Sequence, residues 1–242
     1  GIGVQGAGDE IVATPPTFRP DLEREIDLIE EVARRIGFDA IGRGLARPKG
    51  QIGALSRSQR ERRVLADALV GVGCAEVTSV PMVAPDALAD FGIGDAVAIA
   101  NPLRAEESVL RTTLLPGLLI TAAANAARGR PDLALFELGT VFFAPAAGEI
   151  RPTERLHVAA VLTGVLRRRP VEPDRPVDVH DAVDLLTLLA DALEVDGAVI
   201  EPVAIPGCHP GRGAHLTAAG IVLAHAGQIG ERPLARVCLL YT

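Results

Sequence analysis

The sequence predicts an α+β fold in which an antiparallel sheet is flanked by helices. Strand-like segments are separated by helical patterns of irregular length, rather than by the regular helices of alternating βαβ units. Near the end of the chain, two short apolar segments flank Gly220, a spacing typical of an antiparallel hairpin. A chain of 242 residues can hold one or two domains with a sizeable core. Together these observations favour this class over a doubly wound parallel sheet.

The first part of the chain predicts a strand, a turn and one helix. Residues 1–14 combine glycines with a short apolar alternation, and the two consecutive prolines that follow end any regular ladder. Pro20 suits the first turn of a helix, which is expected to run to about Arg35 and to end at Gly37. The glycine- and proline-rich stretch after this helix predicts a linker over residues 42–53.

After the linker, helical and strand-like patterns alternate irregularly. Helices are expected where apolar residues recur with helical period: 57–70, 86–90, 114–128 and 181–193. Strands are expected in these short apolar segments: 75–80, 96–100, 133–143, 155–163, 198–204, 214–218 and 221–225. These elements predict one antiparallel sheet over residues 54–231.

Composition limits the classes of function. The net charge of −7 and the pI near 5.3 argue against a nucleic-acid-binding surface spread over the whole chain. Aromatic residues make up 3% of the chain, so few side chains could stack on bases. Cys74, Cys208 and Cys238 are odd in number and far apart, which fits a reducing, cytoplasmic environment. No apolar run is long enough to span a bilayer, and no membrane partner is expected. Because residue 1 is Gly and not Met, we expect a piece of a longer protein.

Four acidic residues lie beside an apolar stripe in FRPDLEREIDLIEE, residues 18–31. At about 100° per residue, the apolar side chains gather on one helix face, which is expected to be buried: Leu22, Ile26, Ile29, Ala33 and Ile36. The acids spread over the opposite half of the helix: Asp21, Asp27, Glu30 and Glu31. Clustered carboxylates are the ligands that a hard divalent cation needs. A solvated acidic face is the alternative interpretation.

The other motifs predict no chemistry. GIGVQG at residues 1–6 matches G-x-G-x-x-G, but it lacks the preceding strand and the following helix of a dinucleotide fingerprint. The sequence has no P-loop and no nucleophile elbow, and its five histidines include no HExxH. Cys208 and His209 are adjacent in sequence and are interpreted as structural residues. The arginine run at 167–169 is interpreted as a solvated loop.

Four segments, in this order and spacing, resemble the β subunit of bacterial phenylalanyl-tRNA synthetase. VATPPTFRPDLEREIDLIEEVARRIGFDAI (12–41) is similar to the end of that subunit's small domain. NPLRAEESVLRTTLLPGLL (101–119) and LFELGTVF (135–142) are similar to the long helix and the following strand of its synthetase-like core. CHPGRGAHLTAAGIVLAHAGQIGE (208–231) is similar to its HPGR turn and hairpin. The resemblance covers essentially residues 10–231.

The resemblance implies a domain organisation and a metal site. Residues 54–242 would form a non-catalytic, class II synthetase-like antiparallel sheet with flanking helices, incomplete at its C-terminus. Residues 1–41 would be the C-terminal part of a small α+β magnesium-binding domain. The family's magnesium site uses an Asp, an Asp six residues on, and a Glu pair three and four residues further. The matching positions are Asp21, Asp27, Glu30 and Glu31. Mg²⁺ is therefore the implied cofactor.

The resemblance also implies a role and partners. The β core of this family has lost adenylation chemistry, which belongs to the α subunit. This chain would thus be a structural, α-binding part of phenylalanine–tRNA ligase, in a heterotetramer of two α and two β subunits. tRNA(Phe) would bind through the full subunit. The helix at 114–127 and the RTT segment before it are expected to contact the α subunit. Arg111 is either part of that interface or a buried ion partner, and Arg212 is a second isolated arginine.

The alternative hypothesis is a free-standing metal-dependent enzyme that uses the acidic cluster. Such an enzyme would need a His or Lys near the carboxylates as acid or base. Residues 10–45 contain neither.

The tail that follows Gly230 and Glu231 departs from the family pattern, and we expect a truncated or altered end there.

Overall fold

Two units make up the chain, Gly1–Ala54 and Leu55–Thr242. The computed structural model describes residues 1–8, 10–42, 44, 53–166 and 174–237. Several features of the sequence therefore lie outside the described residues: Lys49, the arginine run at 167–169 and Cys238.

The first unit contains a hairpin, a helix and a 3₁₀ turn: β1 (Gly3–Ala7), β2 (Glu10–Thr14), α1 (Glu25–Ile36) and Phe38–Ala40. The two strands pair antiparallel, from Gly3 opposite Thr14 to Ala7 opposite Glu10. Two prolines follow β2 and end the ladder because proline lacks an amide donor. Most of the GIGVQG motif thus lies in a hairpin strand and not in a phosphate-binding loop.

Helix α1 begins at Glu25, later than the predicted start near Pro20. The carboxylate of Asp27, at the third helical position, accepts a hydrogen bond of 2.8 Å from the backbone amide of Arg24. This bond satisfies a free donor at the helix N-terminus and fixes the first turn at that point. The predicted end at Gly37 is confirmed; this residue has a φ of 96°, which favours glycine.

The apolar stripe of α1 is only partly buried. Leu22, which precedes the helix, and Ala33 are buried, as predicted. In contrast, Ile26, Ile29 and Ile36 are 57%, 52% and 68% exposed, so the prediction of a buried face is wrong for these three residues. The two short strands and one helix described in this unit are too few to cover that face.

The second unit alternates helices and strands. Its helices are α2 (Arg57–Gly71), α3 (Pro85–Ala89), α4 (Leu115–Ala126), α5 (Val179–Ala192) and α6 (Glu231–Arg236). Its first strands are β3 (Ala75–Glu76), β4 (Met82–Val83), β5 (Val109–Leu110), β6 (Leu133–Phe143) and β7 (Thr153–Thr163). Its later strands are β8 (Val165–Leu166), β9 (Arg175–Pro176), β10 (Val199–Pro202), β11 (Cys208–Ala218) and β12 (Ile221–Ile229). A 3₁₀ turn spans Ala105–Glu107.

The strands of this unit form two three-stranded sheets and two strand pairs. In the sheet β3-β6-β7, β6 and β7 pair antiparallel along their whole length, whereas β3 runs parallel to β6. The sheet β10-β11-β12 is antiparallel, and the predicted turn at Gly220 is confirmed. Strands β4-β5 and β8-β9 form antiparallel pairs. The α+β class is therefore confirmed, but the described strands do not form one antiparallel sheet.

Two predicted strands are shorter than the sequence suggests. The 75–80 strand is reduced to β3 because the chain leaves β6 after Val77, and residues beyond Pro81 pair with β5 instead. The 96–100 strand is reduced to a single bridge between Ala98 and Val109. In both places the short pairing with β5 replaces a regular ladder.

Side chains cap the N-termini of two of the longer helices, α2 and α5. Before α2, the Ser56 hydroxyl accepts from the Gln59 amide at 3.2 Å, and the Gln59 side chain accepts from the Ser56 amide at 2.9 Å. Before α5, Asp178 accepts from the His180 amide at 2.8 Å, and Asp181 accepts from the Asp178 amide at 2.9 Å. These reciprocal bonds satisfy the free amides of each first turn.

Strand β6 separates two parts of the core. Phe136 and Leu138, on one face, pack in a cluster with Leu69 of α2 and Leu185 of α5. Leu135 and Val141 point to the opposite face, as the period of a strand requires, and pack in a cluster with the buried side of α4.

Helix α4 belongs to this core. Leu114 and Leu118 are 1% and 0% exposed and pack within the chain itself. Both side chains are therefore covered within the chain itself, and the contact of this helix with an α subunit stays a prediction. Only the outer face of the helix remains open, with Ile120 57% exposed.

Candidate metal centre

Arg19 lies between two of the four predicted metal ligands. Its Nε and Nη2 atoms donate to the two oxygens of Asp21, at 2.9 Å and 2.7 Å. The same Nη2 atom donates to Oε1 of Glu31 at 2.6 Å. Because Glu31 is on α1 and Asp21 precedes it, the guanidinium joins the loop to the helix.

Arg34 completes this network from the last turn of α1. Its Nη2 atom donates to both oxygens of Glu31, at 2.7 Å and 2.8 Å. The guanidinium of Arg19 lowers the pKa of Asp21, and Arg19 followed by Arg34 lowers the pKa of Glu31. The Asp21 carboxylate and the Arg34 side chain are more than half exposed, so salt will screen these attractions.

The remaining two predicted ligands point elsewhere. Asp27 accepts hydrogen bonds from the backbone amides of Arg24 and Glu23, at 2.8 Å and 3.1 Å. The Arg24 amide is the main cause of the lowered pKa of Asp27. Glu30 is exposed, and within the described part of the chain it takes no part in the network around Arg19.

The donors fit a divalent cation in part. Mg²⁺ prefers carboxylate oxygens, and in proteins it is commonly held by one or two carboxylates together with water. Asp21 and Glu31 meet that requirement, since both reach one nitrogen of Arg19. Over the described residues, however, no group of three or more His, Cys, Asp or Glu side chains is arranged to hold a metal ion. The structure thus brings Asp21 and Glu31 together and leaves Asp27 and Glu30 apart from them.

Arg111 is a buried ion partner, one of the two roles that the sequence left open. Its Nη1 atom donates to Oε1 of Glu137 at 2.7 Å, and the two side chains are 7% and 2% exposed. Its Nε donates to the carbonyl oxygen of Thr140 at 2.9 Å. The Ser79 hydroxyl donates to the other Glu137 oxygen at 2.6 Å and accepts from Arg111 at 3.0 Å. Gly139 leaves room for the guanidinium, because a Cβ there would overlap it.

Sequence reasoning missed Glu137 and Ser79. A signal existed for Glu137, since a lone acid within the apolar segment LFELG must be paired if it is buried. Nothing in the local sequence singles out Ser79, whose role follows from its position beside the pair. With these contacts, the guanidinium of Arg111 lies in the interior of the second unit.

Arg212 and the histidines near it belong to the hairpin β11-β12. Arg212 donates to Gln228 across the two strands at 2.5 Å, and His209 accepts from the Gly211 amide at 3.2 Å. His215 pairs directly opposite His225, with ring centroids 6.5 Å apart. Burial is the main cause of the lowered pKa of His225.

Helix α6 is joined to α3 by ion pairs that sequence reasoning also missed. Asp90 directly follows α3, and its carboxylate is 1% exposed. Arg232 contacts it at 2.8 Å, and Arg236 contacts both Asp90 and Asp86. The pairing lowers the pKa of Asp90, chiefly through Arg236. The four-residue spacing of the two arginines in RPLAR, which puts them on one helix face, was the only available signal.

Two further features concern the environment of the chain. Cys74 is buried and Cys208 is partly buried. Across the described ranges, no helix is long and apolar enough to cross a membrane.

Comparison with known proteins places these features in a family. The family model for the phenylalanyl tRNA synthetase beta chain CLM domain matches residues 43–239. The model for the tRNA synthetase B5 domain matches residues 1–38. The first match includes residues 232–239, part of the tail that was expected to depart from the family pattern.

Curated relatives agree with these matches. The chain is 36% identical over 260 residues to the phenylalanine–tRNA ligase beta subunit of Leifsonia xyli subsp. xyli, covering 96% of this chain and 30% of that relative. It is 38% identical over 229 residues to the subunit of the same name from Geobacter sulfurreducens, covering 90% of this chain and 28% of that relative. The chain therefore spans less than a third of the length of these two relatives.

A solved structure supports the fold alone. The crystal structure of pyrrolysyl-tRNA synthetase from Desulfitobacterium hafniense superimposes with a TM-score of 0.52 at 15% identity, covering 74% of this chain and 61% of that one. The family model matches residues 43–239, which is more than half of the sequence, and this chain therefore belongs to the phenylalanyl-tRNA synthetase β-chain family.

Proposed function

We propose that this chain is part of the β subunit of a phenylalanine–tRNA ligase and supports the ATP-dependent attachment of phenylalanine to tRNA(Phe). In this proposal it is a structural, α-subunit-binding part without adenylation chemistry of its own. The family match over residues 43–239 supports the β-subunit assignment. The observation that carries the lack of adenylation chemistry is the pairing of Arg111 with Glu137 in the interior of the core, 2.7 Å apart.

Adenylation requires positive groups arranged around the α-phosphate of ATP, so that charge is stabilised as it develops. The two isolated arginines of the core are already engaged: Arg111 with Glu137, and Arg212 with Gln228. The single lysine of the sequence, Lys49, precedes the core. This set of cations is unsuited to holding the phosphates of ATP.

The names of the relatives support an α subunit and tRNA(Phe) as partners, and the resemblance to the family implies the number of chains. The partners are a phenylalanyl-tRNA synthetase α subunit, in an assembly of two α and two β chains, and tRNA(Phe), bound through the full subunit. A cytoplasmic location agrees with the odd number and wide spacing of the three cysteines. In the proposed organisation, residues 1–41 are part of a small magnesium-binding domain, 42–53 a linker and 54–242 the non-catalytic core.

The same proposal includes a magnesium site in the first unit. Asp21 and Glu31 would hold the ion, because their carboxylates already converge on one cation. Asp27 and Glu30 complete the set that the resemblance implies. When bound, Mg²⁺ would neutralise the clustered carboxylates and join the loop before α1 to the helix.

Isotope exchange tests the absence of adenylation chemistry. Phenylalanine-dependent ATP–pyrophosphate exchange is measured with the purified chain, alone and with an α subunit. We expect exchange only when the α subunit is present, together with co-purification of the two chains. Exchange by the chain alone, if it is abolished by Arg212→Gln, would mean that the core is a working synthetase.

Carboxylate NMR tests the magnesium site. MgCl₂ is added to the chain while the side-chain carboxyl carbons are followed. We expect site-specific shifts at Asp21 and Glu31 at millimolar metal, and their loss in Asp21→Asn. The matched control is Glu23→Gln, an exposed acid next to the site, which should leave the response unchanged. Shifts spread evenly over all exposed acids would instead support a solvated acidic face.

A further inference from the structure

The carboxylate pair at the candidate metal centre already has a cation. Both oxygens of Asp21 accept from Arg19, through Nε and Nη2. One oxygen of Glu31 accepts from Arg19 and Arg34, and the other accepts from Arg34. All four carboxylate oxygens of this pair are therefore occupied by guanidinium groups of the chain.

A divalent cation would need the same atoms. Mg²⁺ binds oxygen at about 2.0–2.1 Å and demands near-octahedral geometry. The Nη2 atom of Arg19 lies 2.7 Å from Asp21 and 2.6 Å from Glu31, in the place where an ion bridging these two groups would lie. A guanidinium and Mg²⁺ there would also repel each other, so the two cations exclude each other.

We infer that Arg19 is a built-in cation that competes with Mg²⁺ for Asp21 and Glu31 and thereby sets the affinity of this site for metal. The inference rests on the proposed magnesium site. Without metal, Arg19 holds the loop before α1 against the helix; when metal binds, the Arg19 side chain leaves both carboxylates. Arg34 is secondary, because it contacts Glu31 and not Asp21.

The exposure of Arg19 suits this exchange. Its side chain is 30% exposed and that of Asp21 is 58% exposed, so Arg19 can move into water. The Glu31 side chain is 19% exposed, but it keeps Arg34 as a partner when Arg19 leaves. Exposed ion pairs of this kind are weak, so a metal ion can displace the guanidinium. Removing Arg19 should therefore tighten metal binding by a modest, measurable factor.

The experiment compares MgCl₂ titrations of the whole chain and of Arg19→Gln, followed by carboxylate NMR. We expect Arg19→Gln to bind Mg²⁺ about three- to tenfold more tightly. Arg35→Gln is the matched control, because it removes the same charge from the same unit but Arg35 contacts neither Asp21 nor Glu31. It should change the affinity less than twofold. Arg19→Lys, which keeps the charge but loses the two-nitrogen contact, should give an intermediate affinity.

A second measurement follows Arg19 itself in the unchanged chain. The Nε–H resonance of Arg19 should move toward that of a free arginine as MgCl₂ saturates the carboxylate shifts. Circular dichroism of Arg19→Gln checks that the helical content is retained. If this variant loses helix, the Nε–H resonance of the unchanged chain still decides the question.

The outcomes separate this inference from the magnesium proposal. Equal affinity in the unchanged chain and in Arg19→Gln, or an Arg19 Nε–H resonance that stays fixed at saturation, would overturn the competition and leave the metal site standing. If neither chain gives site-specific shifts at Asp21 and Glu31, the metal site and the competition both fail.

Discussion

Two arginines in this chain form the same kind of ion pair with carboxylates, one near the surface and one in the interior. Arg19 joins Asp21 and Glu31 near the surface, where the three side chains are 30%, 58% and 19% exposed. Arg111 joins Glu137 in the core of the second unit, where the two side chains are 7% and 2% exposed. The hydrogen-bond lengths are similar, 2.6–2.7 Å, so geometry alone does not distinguish the two networks.

The difference lies in the surrounding medium. In water, the attraction between two unit charges is weak, salt screens it, and water or another ion can replace either partner. In the interior, each charge has lost its hydration, and removal of one partner leaves the other uncompensated. The network of Arg19 is therefore exchangeable, which suits a site that binds and releases a cation. The network of Arg111 is fixed, which suits a structural core.

The largest effect is expected from breaking the buried pair. Glu137→Gln leaves the Arg111 guanidinium without a counter-charge, and we expect the free energy of unfolding to fall by about 3–5 kcal/mol. Urea unfolding followed by circular dichroism measures this change. The control is Glu154→Gln, an exposed acid on β7, which should change the stability by less than about 0.5 kcal/mol. A loss below about 1 kcal/mol for Glu137→Gln would place this pair in the same class as the surface network.

A double variant sharpens the same point. Replacing both partners, as Arg111→Met with Glu137→Leu, removes the charges together and fills the space with apolar groups. We expect it to be more stable than Glu137→Gln alone, because no buried charge is left unpaired. An additive loss from the two changes would argue against direct coupling of Arg111 and Glu137.

An intermediate effect is expected at Asp90, which is buried while its partners are partly exposed. Asp90→Asn should lower the free energy of unfolding at pH 7 by about 1–3 kcal/mol, since it removes the charge that Arg232 and Arg236 contact. Asp86→Asn is the control, because that carboxylate is 64% exposed and shares Arg236. If the free energy of unfolding falls equally in the two variants, burial of the Asp90 carboxylate does not explain its contribution to stability.

The effect of Asp90 should also depend on pH with a definite sign. Pairing lowers its pKa in the folded chain below the ordinary value of 3.8. Its contribution to stability is therefore complete above that value and is lost as the pH falls through the folded-state pKa. The gap in urea midpoint between the unchanged chain and Asp90→Asn should be full at pH 5–7 and should shrink below about pH 4. A gap that widens in acid would contradict this assignment.

Local periodicity explains which elements could be predicted. Strands β6 and β7, helices α2 and α5 and the turn at Gly220 agree with the sequence because each is determined by neighbours along the chain. The predicted start of α1 near Pro20 was wrong. Proline has only a general preference for the first turn of a helix, whereas the hydrogen bond from the Arg24 amide to Asp27 fixes the start at Glu25. The predicted single sheet failed because the pairing of distant strands is not determined by local pattern.

The charged networks depend on contacts that periodicity does not encode. The sequence identified four acids as a group, but Arg19 reaches Glu31 from twelve residues away and changes what the group can do. Arg111 and Glu137 are separated by 26 residues, and Arg236 and Asp90 by 146. A residue pattern predicts which charges exist, whereas the fold decides which of them meet.

The smallest expected effect concerns salt. Raising NaCl from about 0.01 M to 1 M shortens the screening length from about 30 Å to 3 Å. The pKa values of Asp21 and Glu31 should then rise toward their ordinary values, because the pull of Arg19 is weakened. Carboxylate NMR at a series of pH values measures both. The pKa of Asp90, whose carboxylate is 1% exposed, should rise less. If salt raises the pKa of Asp90 as much as that of Asp21, then burial does not shield the Asp90 ion pairs from salt. The contrast between exchangeable and fixed networks would then fail.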